Sequence, residues 1–105
     1  MAAKGLLVPV KDLSEVMRRL ATYLDSQEVE SISITKDYYW VIPSDERYTP
    51  NVDPDPQKLT LGQLTHDWER LQSMLDEDRM TTRFALNWLA AVLVVIADDS
   101  ETPFI

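Results

Sequence analysis

Apolar residues recur at helical spacing in the first quarter of the chain. Asp12 and Glu15 have the spacing of a capping box, so the pattern predicts a helix that begins near Asp12. The apolar stripe of this helix consists of Leu13, Val16, Met17, Leu20, Ala21 and Leu24. Arg18 and Arg19 lie off the stripe, and we expect them to face water.

The period becomes strand-like between residues 31 and 42. Residues 31–35 alternate polar and apolar side chains, and residues 38–42 are aromatic and β-branched. Such segments are typical of half-buried strands, and the short link between them predicts a β-hairpin. The second strand alternates Tyr38, Trp40 and Ile42 on one face with Tyr39 and Val41 on the other.

Residues 43–57 carry four prolines among Ser, Asp and Asn. Proline at this density disfavours both helix and sheet ladder, so the segment is predicted to be a long extended loop. It holds four acids and one tyrosine, namely Asp45, Glu46, Asp53, Asp55 and Tyr48. A loop of this length is uncommon in a compact domain unless it has a function.

Two further helices are predicted in the second half. The first opens on the capping-box spacing of residues 60–63 and carries an apolar edge through Leu61, Leu64, Trp68, Leu71 and Leu75. The second, residues 81–97, is apolar on nearly all sides. Such a helix is either central to the fold or covered by a second subunit, so a homodimer is one hypothesis.

These elements together predict an α+β fold. Three helices are expected to pack with a β-hairpin and a long acidic Pro-rich loop. The length of 105 residues suits one domain, residues 1–105, with residues 1–9 disordered or extended and residues 98–105 as a tail.

The net charge of −8 narrows the classes of partner. Phosphates and anionic lipids would repel this chain, so neither nucleic acid nor membrane is an expected partner. A protein with a basic surface would be attracted to it. The chain has no cysteine, which suits a reducing cytoplasm.

The sequence contains no recognisable catalytic constellation. His66 is the only histidine, there is no cysteine nucleophile, and two glycines are too few for a phosphate-binding loop. The carboxylates at 53–55 and 76–78 lack the ligand spacing of a calcium loop. The sequence therefore predicts no catalytic residue, metal or cofactor, although an enzyme with an unusual carboxylate pair stays open.

The aromatic residues divide into two groups. Trp68 and Trp88 lie in apolar helical patterns and are expected in the core. Tyrosine and tryptophan beside carboxylates are typical of interface hot spots. The predicted protein-binding residues are Trp40, Asp45, Glu46, Tyr48, Asp53 and Asp55.

The segments Asp37-Tyr38-Tyr39-Trp40-Val41-Ile42 and Leu59-Thr60-Leu61-Gly62-Gln63-Leu64-Thr65-His66-Asp67-Trp68-Glu69-Arg70-Leu71 carry a resemblance. Over roughly residues 30–97 the chain resembles small acidic bacterial proteins, some of which are immunity proteins that neutralise a basic toxin. The resemblance implies a non-enzymatic inhibitor and assigns no functional residue. The alternative is a structural or regulatory homodimeric subunit that associates through the apolar third helix.

Overall fold

The computed structural model describes residues 5–50, 53–77 and 82–99. The chain divides into two compact units, Met1–Ile32 and Ser33–Ile105. The α+β class is confirmed, since helices occur together with a two-stranded antiparallel sheet. Residues 100–105 of the predicted tail and residue 81 of the predicted third helix lie outside the described residues.

The first unit contains helix α1, Val10–Ser26. The predicted helix is confirmed, but the capping residue is wrong. Pro9 occupies the N-cap and makes no side-chain capping bond, while Asp12 lies inside the first turn. An acid there favours the helix because it faces the positive end of the helix dipole. Arg18 and Arg19 are exposed, as expected, and both pair with Glu15.

The second unit contains the sheet and three further α-helices. In chain order its elements are β1 Tyr38–Val41, α2 Ser44–Arg47, a 3-10 turn Pro56–Lys58, β2 Thr60–Gln63, α3 Leu64–Asp76 and α4 Thr82–Asp98. The described residues thus form four α-helices where the sequence predicts three. The additional helix, α2, is a single turn within the Pro-rich segment.

The predicted strand pairing is wrong. β1 pairs with β2, with Trp40 opposite Leu61, and residues 31–35 form no strand. Thr35 instead donates hydrogen bonds from its backbone N and its Oγ1 to the Asp99 carboxylate, each 2.9 Å long. Asp99 is only 3% exposed, so these bonds connect Thr35 to a buried carboxylate at the end of α4.

The capping box predicted at Thr60 is also wrong, because residues 60–63 form β2 and α3 begins at Leu64. The cap comes from Asp37, next to β1. Its Oδ1 accepts hydrogen bonds from the backbone N and Oγ1 of Thr65, at 2.8 and 2.7 Å. Its Oδ2 accepts one from the side chain of Gln63. The bonds from Gln63 and Thr65 lower the pKa of Asp37 and join the sheet to α3.

The Pro-rich segment is more ordered than the extended loop that the sequence predicts. Pro43 precedes α2, and Pro56 is the first residue of the 3-10 turn. Both prolines stand where their missing N–H groups cost no helical hydrogen bond, so their presence is compatible with short helical turns. The rest of the described segment forms neither helix nor strand.

The core of the second unit lies where α3 and α4 pack together. Its buried cluster consists of Leu64, Val92 and Val95, and Ile34 and Tyr39 are among the residues packed against it. Trp68, which the sequence places in the core, is about half exposed, so that prediction is wrong. The rotation of α3 is fixed by Leu64 and the buried Asp67 instead.

No helix in the described part of the chain is long and apolar enough to cross a membrane.

Candidate binding surface on the sheet

The two faces of β1 have different surroundings. Tyr38 and Trp40 are exposed, whereas Tyr39 and Val41 are partly buried, as the sequence alternation predicts. Trp40 is 65% exposed, and Leu61, opposite it on β2, is 61% exposed. Directly opposed residues in an antiparallel pair lie on the same face. Tyr38, Trp40 and Leu61 therefore form one exposed apolar surface, here called the outer patch.

The outer patch is not explained by folding. Burying a large apolar side chain stabilises a protein by about 1.5–3 kcal/mol, and these residues forgo much of that gain. Contiguous exposed apolar surface on a small domain usually marks an interaction site. Leu61 was missed by the sequence analysis because residues 60–63 have the pattern of a helix start.

The inner face of the sheet is held by a tyrosine. The Tyr39 hydroxyl donates a short hydrogen bond to the carboxylate of Asp67, which is only 4% exposed. Gly62 lies directly opposite Tyr39, and a Cβ atom there would stand 2.7 Å from the Tyr39 oxygen and closer still to the ring. The absence of a side chain at Gly62 therefore lets the ring reach across β2 to α3. This bond fixes the orientation of β1 and of the outer patch.

The environment of Tyr39 raises its pKa from the ordinary value of 10.0 to about 12. Burial is the main cause, followed by the hydrogen bond to Asp67 and the charge of its carboxylate. Because the folded chain holds the phenolic proton more tightly than the unfolded chain, this stabilisation is complete below pH 10. It is lost as the pH rises from 10 to about 12.

We expect one of the four tyrosines to ionise late in an alkaline titration followed by ultraviolet absorbance. The Tyr39→Phe variant should lose that late step. Its urea-unfolding free energy should also fall less steeply than that of the wild type between pH 10 and 11.5. A variant that keeps the late step would show that the high pKa belongs to another tyrosine.

The predicted acids do not form a single free cluster. Asp55 caps the 3-10 turn by accepting a hydrogen bond from the Gln57 backbone N, at 3.0 Å. Glu46 accepts one from the Asp55 backbone N at 3.4 Å and forms an ion pair with Lys58, at 3.5 Å. These two acids therefore hold the loop together.

Asp45 and Asp53, by contrast, are exposed. Neither forms an ion pair with any residue that the structure describes. Tyr48 follows α2 and is 77% exposed, with the Arg47 guanidinium 5.9 Å from its ring centre. The Arg47 side chain also donates a hydrogen bond to the carbonyl of Ile42, just beyond β1. This bond connects α2 to the end of the strand that carries Trp40.

In the described part of the chain, no group of three His, Asp or Glu residues is placed to hold a metal ion. His66 is exposed on the first turn of α3.

No protein-family model, curated protein or solved structure matches the chain. The resemblance to immunity proteins therefore stays a prediction.

Proposed function

We propose that this chain is a non-enzymatic protein-binding module of immunity or inhibitor type that recognises a partner with a basic surface. The observation that carries the proposal is the outer patch, where Trp40 and Leu61 lie side by side and exposed on the sheet. Aromatic side chains in that position can fill pockets on a partner and contribute most of the binding free energy.

The free acids supply the attraction. Asp45 and Asp53 follow β1 in the chain, carry no ion pair within the described residues, and belong to a chain with a net charge of −8. Such charges raise the rate of association with a basic partner, while desolvated aromatic contacts slow its dissociation. Glu46 and Asp55 contribute to binding indirectly, by shaping the loop.

The proposal is tested by capture from a lysate of the source organism. Wild-type protein and a double variant, Trp40→Ala with Leu61→Ser, serve as parallel baits at low and high salt. We expect a basic protein that the wild type retains at low salt, that high salt weakens and that the variant fails to retain. The same proteins on both baits would contradict the proposed surface.

Charge reversal should act on association and not on dissociation. With the captured partner purified, the Asp45→Lys and Asp53→Lys double variant should associate about tenfold more slowly at low salt, because electrostatic steering is lost. Its dissociation rate should stay near that of the wild type. The association and dissociation rates of the wild type and the variant are measured by biolayer interferometry across a salt series.

A matched control reverses two exposed acids, Glu69→Lys on α3 and Glu77→Lys just after its end, which changes the net charge equally. This control should slow association less than the loop variant does. Equal slowing by both would assign steering to net charge alone. Asp55 is left intact because its carboxylate caps the 3-10 turn.

A second candidate function, a homodimeric subunit, has its own support on α4. Leu86 and Leu93 are 53% and 45% exposed, and with the exposed Ala90 and Ala97 they follow one another at steps of four and three. This spacing places them in one stripe along the helix. Alanine lets a second helix approach to about 8 Å between axes.

Charges at the two ends of α4 favour an antiparallel pair. Arg83 and Asp98 are 15 positions apart, or about 22 Å along the axis, and neither has an ion pair among the described residues. A two-fold axis near Ala90 would bring Arg83 of each copy close to Asp98 of the other. Leu86 would then face Leu93 of the second copy.

Sedimentation equilibrium tests this candidate. A dimer at tens of micromolar that Leu93→Glu dissociates would support it. Leu75→Glu is the matched control, because Leu75 is an exposed leucine on α3, away from the stripe. A wild-type protein that is monomeric up to 100 µM would exclude it.

A further inference from the structure

A groove runs along β1 in the second unit, with a volume of about 880 Å³. Every residue of β1 contributes to its wall, and α4 supplies the opposite side through residues that include Trp88, Ala91 and Val94. Its volume lies within the range of ligand-binding clefts, about 300–1,000 Å³.

The groove follows the backbone edge of β1. Side chains of a strand alternate between two faces, so a cavity that touches all of Tyr38–Val41 must lie at the edge of the strand. No residue of β2 belongs to the wall, which places the groove at the edge away from β2. In the described part of the chain, no strand pairs with that edge. The groove therefore offers unpaired main-chain donors and acceptors.

The charges around the groove differ from those of the chain as a whole. Lys36, Arg47 and Arg70 line it, and none of them forms an ion pair with a described residue. Of the two acids in the wall, Asp67 is buried and accepts the Tyr39 hydrogen bond, which leaves Asp98. Basic side chains are thus gathered at one site of a strongly acidic chain.

One wall adds an apolar surface that is held in place. The Arg70 guanidinium lies 5.5 Å from the Trp88 ring centre, and the Phe84 ring stacks with Trp88 at 5.9 Å. Stacked side chains of this kind lose little conformational freedom when a ligand binds, so the wall is preorganised. Ala91 and Val94 leave room for side chains of moderate size.

We propose that this groove binds an extended, acidic segment of a partner protein, which pairs with the free edge of β1 as an added strand. Alternate side chains of the segment would pack on the α4 wall, and its carboxylates would contact Arg47, Arg70 and Lys36. The four residues of β1 can pair with a segment of about four to six residues. The groove shares Tyr38 and Trp40 with the outer patch but not Leu61, and it selects the opposite charge.

The probe is a capped peptide with the sequence Glu-Val-Glu-Val-Glu-Val, titrated into the full chain by calorimetry. We expect saturable binding, together with slower hydrogen exchange at the amides of Tyr38–Val41. A peptide with lysine in place of glutamate should bind at least about tenfold more weakly, because the three basic residues of the groove repel its positive charges. No binding of the acidic peptide up to 1 mM would overturn the proposal.

Backbone pairing is tested with two N-methylated versions of the acidic peptide. One is methylated on its odd residues and the other on its even residues, so that each version blocks the backbone donors along one edge of the peptide. We expect one of them to lose binding and the other to retain it, because a strand pairs through one edge only. Equal binding by both would show that the groove holds side chains without strand addition. Dodecanoate that binds where the acidic peptide does not would make the groove an amphiphile site and overturn the proposal.

Two sets of variants locate the site. Arg47→Gln with Arg70→Gln should weaken binding of the acidic peptide about tenfold, since two charge-assisted contacts are lost. Lys11→Gln with Arg83→Gln is the control, because neither residue lines the groove, and it should change binding less than twofold. Leu61→Ser should leave peptide binding unchanged, so failure of the outer patch and failure of the groove give different results. Equal weakening by both double variants would overturn the placement.

Discussion

Gly62→Ala should unfold in urea with about 2–4 kcal/mol less stability than the wild type, although alanine is the better residue for a strand interior. The new Cβ would lie 2.7 Å from the Tyr39 oxygen and closer to two ring carbons, so the ring has to move. A displaced ring loses its hydrogen bond to Asp67, whose carboxylate is 4% exposed. Leaving a buried charged acceptor without its donor costs about 1–3 kcal/mol by itself.

Two comparisons isolate the cause. Gly5→Ala introduces the same Cβ where no atom lies within 4 Å, and we expect it to change stability by less than about 0.5 kcal/mol. In a Tyr39→Ala background, Gly62→Ala should lose most of its cost, because the ring that it collides with is gone. A Gly62→Ala protein as stable as the wild type would contradict the arrangement of Tyr39 across β2.

Trp40→Ala should weaken binding of the captured basic partner by at least about 30-fold while leaving the fold nearly intact. A central interface tryptophan contributes about 2 kcal/mol or more when it is removed, and that free energy corresponds to this loss of affinity. The side chain is 65% exposed, so its removal deprives the core of little packing. Affinity is measured by calorimetry and stability by urea unfolding.

Trp68→Ala is the matched control. Trp68 is a half-exposed tryptophan on α3 that does not belong to the outer patch. Its loss should leave affinity within about twofold of the wild type, as expected for a residue outside the interface. If Trp68→Ala weakened binding and Trp40→Ala did not, the binding surface would lie on α3.

Local patterns predicted much of the secondary structure. The stripe of α1, the alternation of β1 and the apolar α4 each depend on a period that can be counted along the sequence. The acids and Tyr48 of the Pro-rich segment were predicted from its composition and not from a period.

Pairing across long separations was not predictable. Residues 31–35 have a good strand pattern, but Thr35 bonds to Asp99, 64 positions away, and Ile34 packs against the core cluster. The cap of α3 comes from Asp37, 28 positions before Thr65, so no local spacing reveals it. The sequence could not place Leu61 in the outer patch either, because the register of the sheet, and not local spacing, sets it opposite Trp40. Each of these contacts is tertiary.

The most direct test of the outer patch as the binding surface is hydroxyl-radical footprinting of the chain, free and in complex with its captured partner. We predict that oxidation of Trp40 and Leu61 falls together in the complex, while oxidation of Trp68 stays unchanged. Trp88 lines the groove and Leu61 does not, so their protection separates the two sites. Unchanged oxidation of Trp40 and Leu61 in a saturated complex would contradict the account.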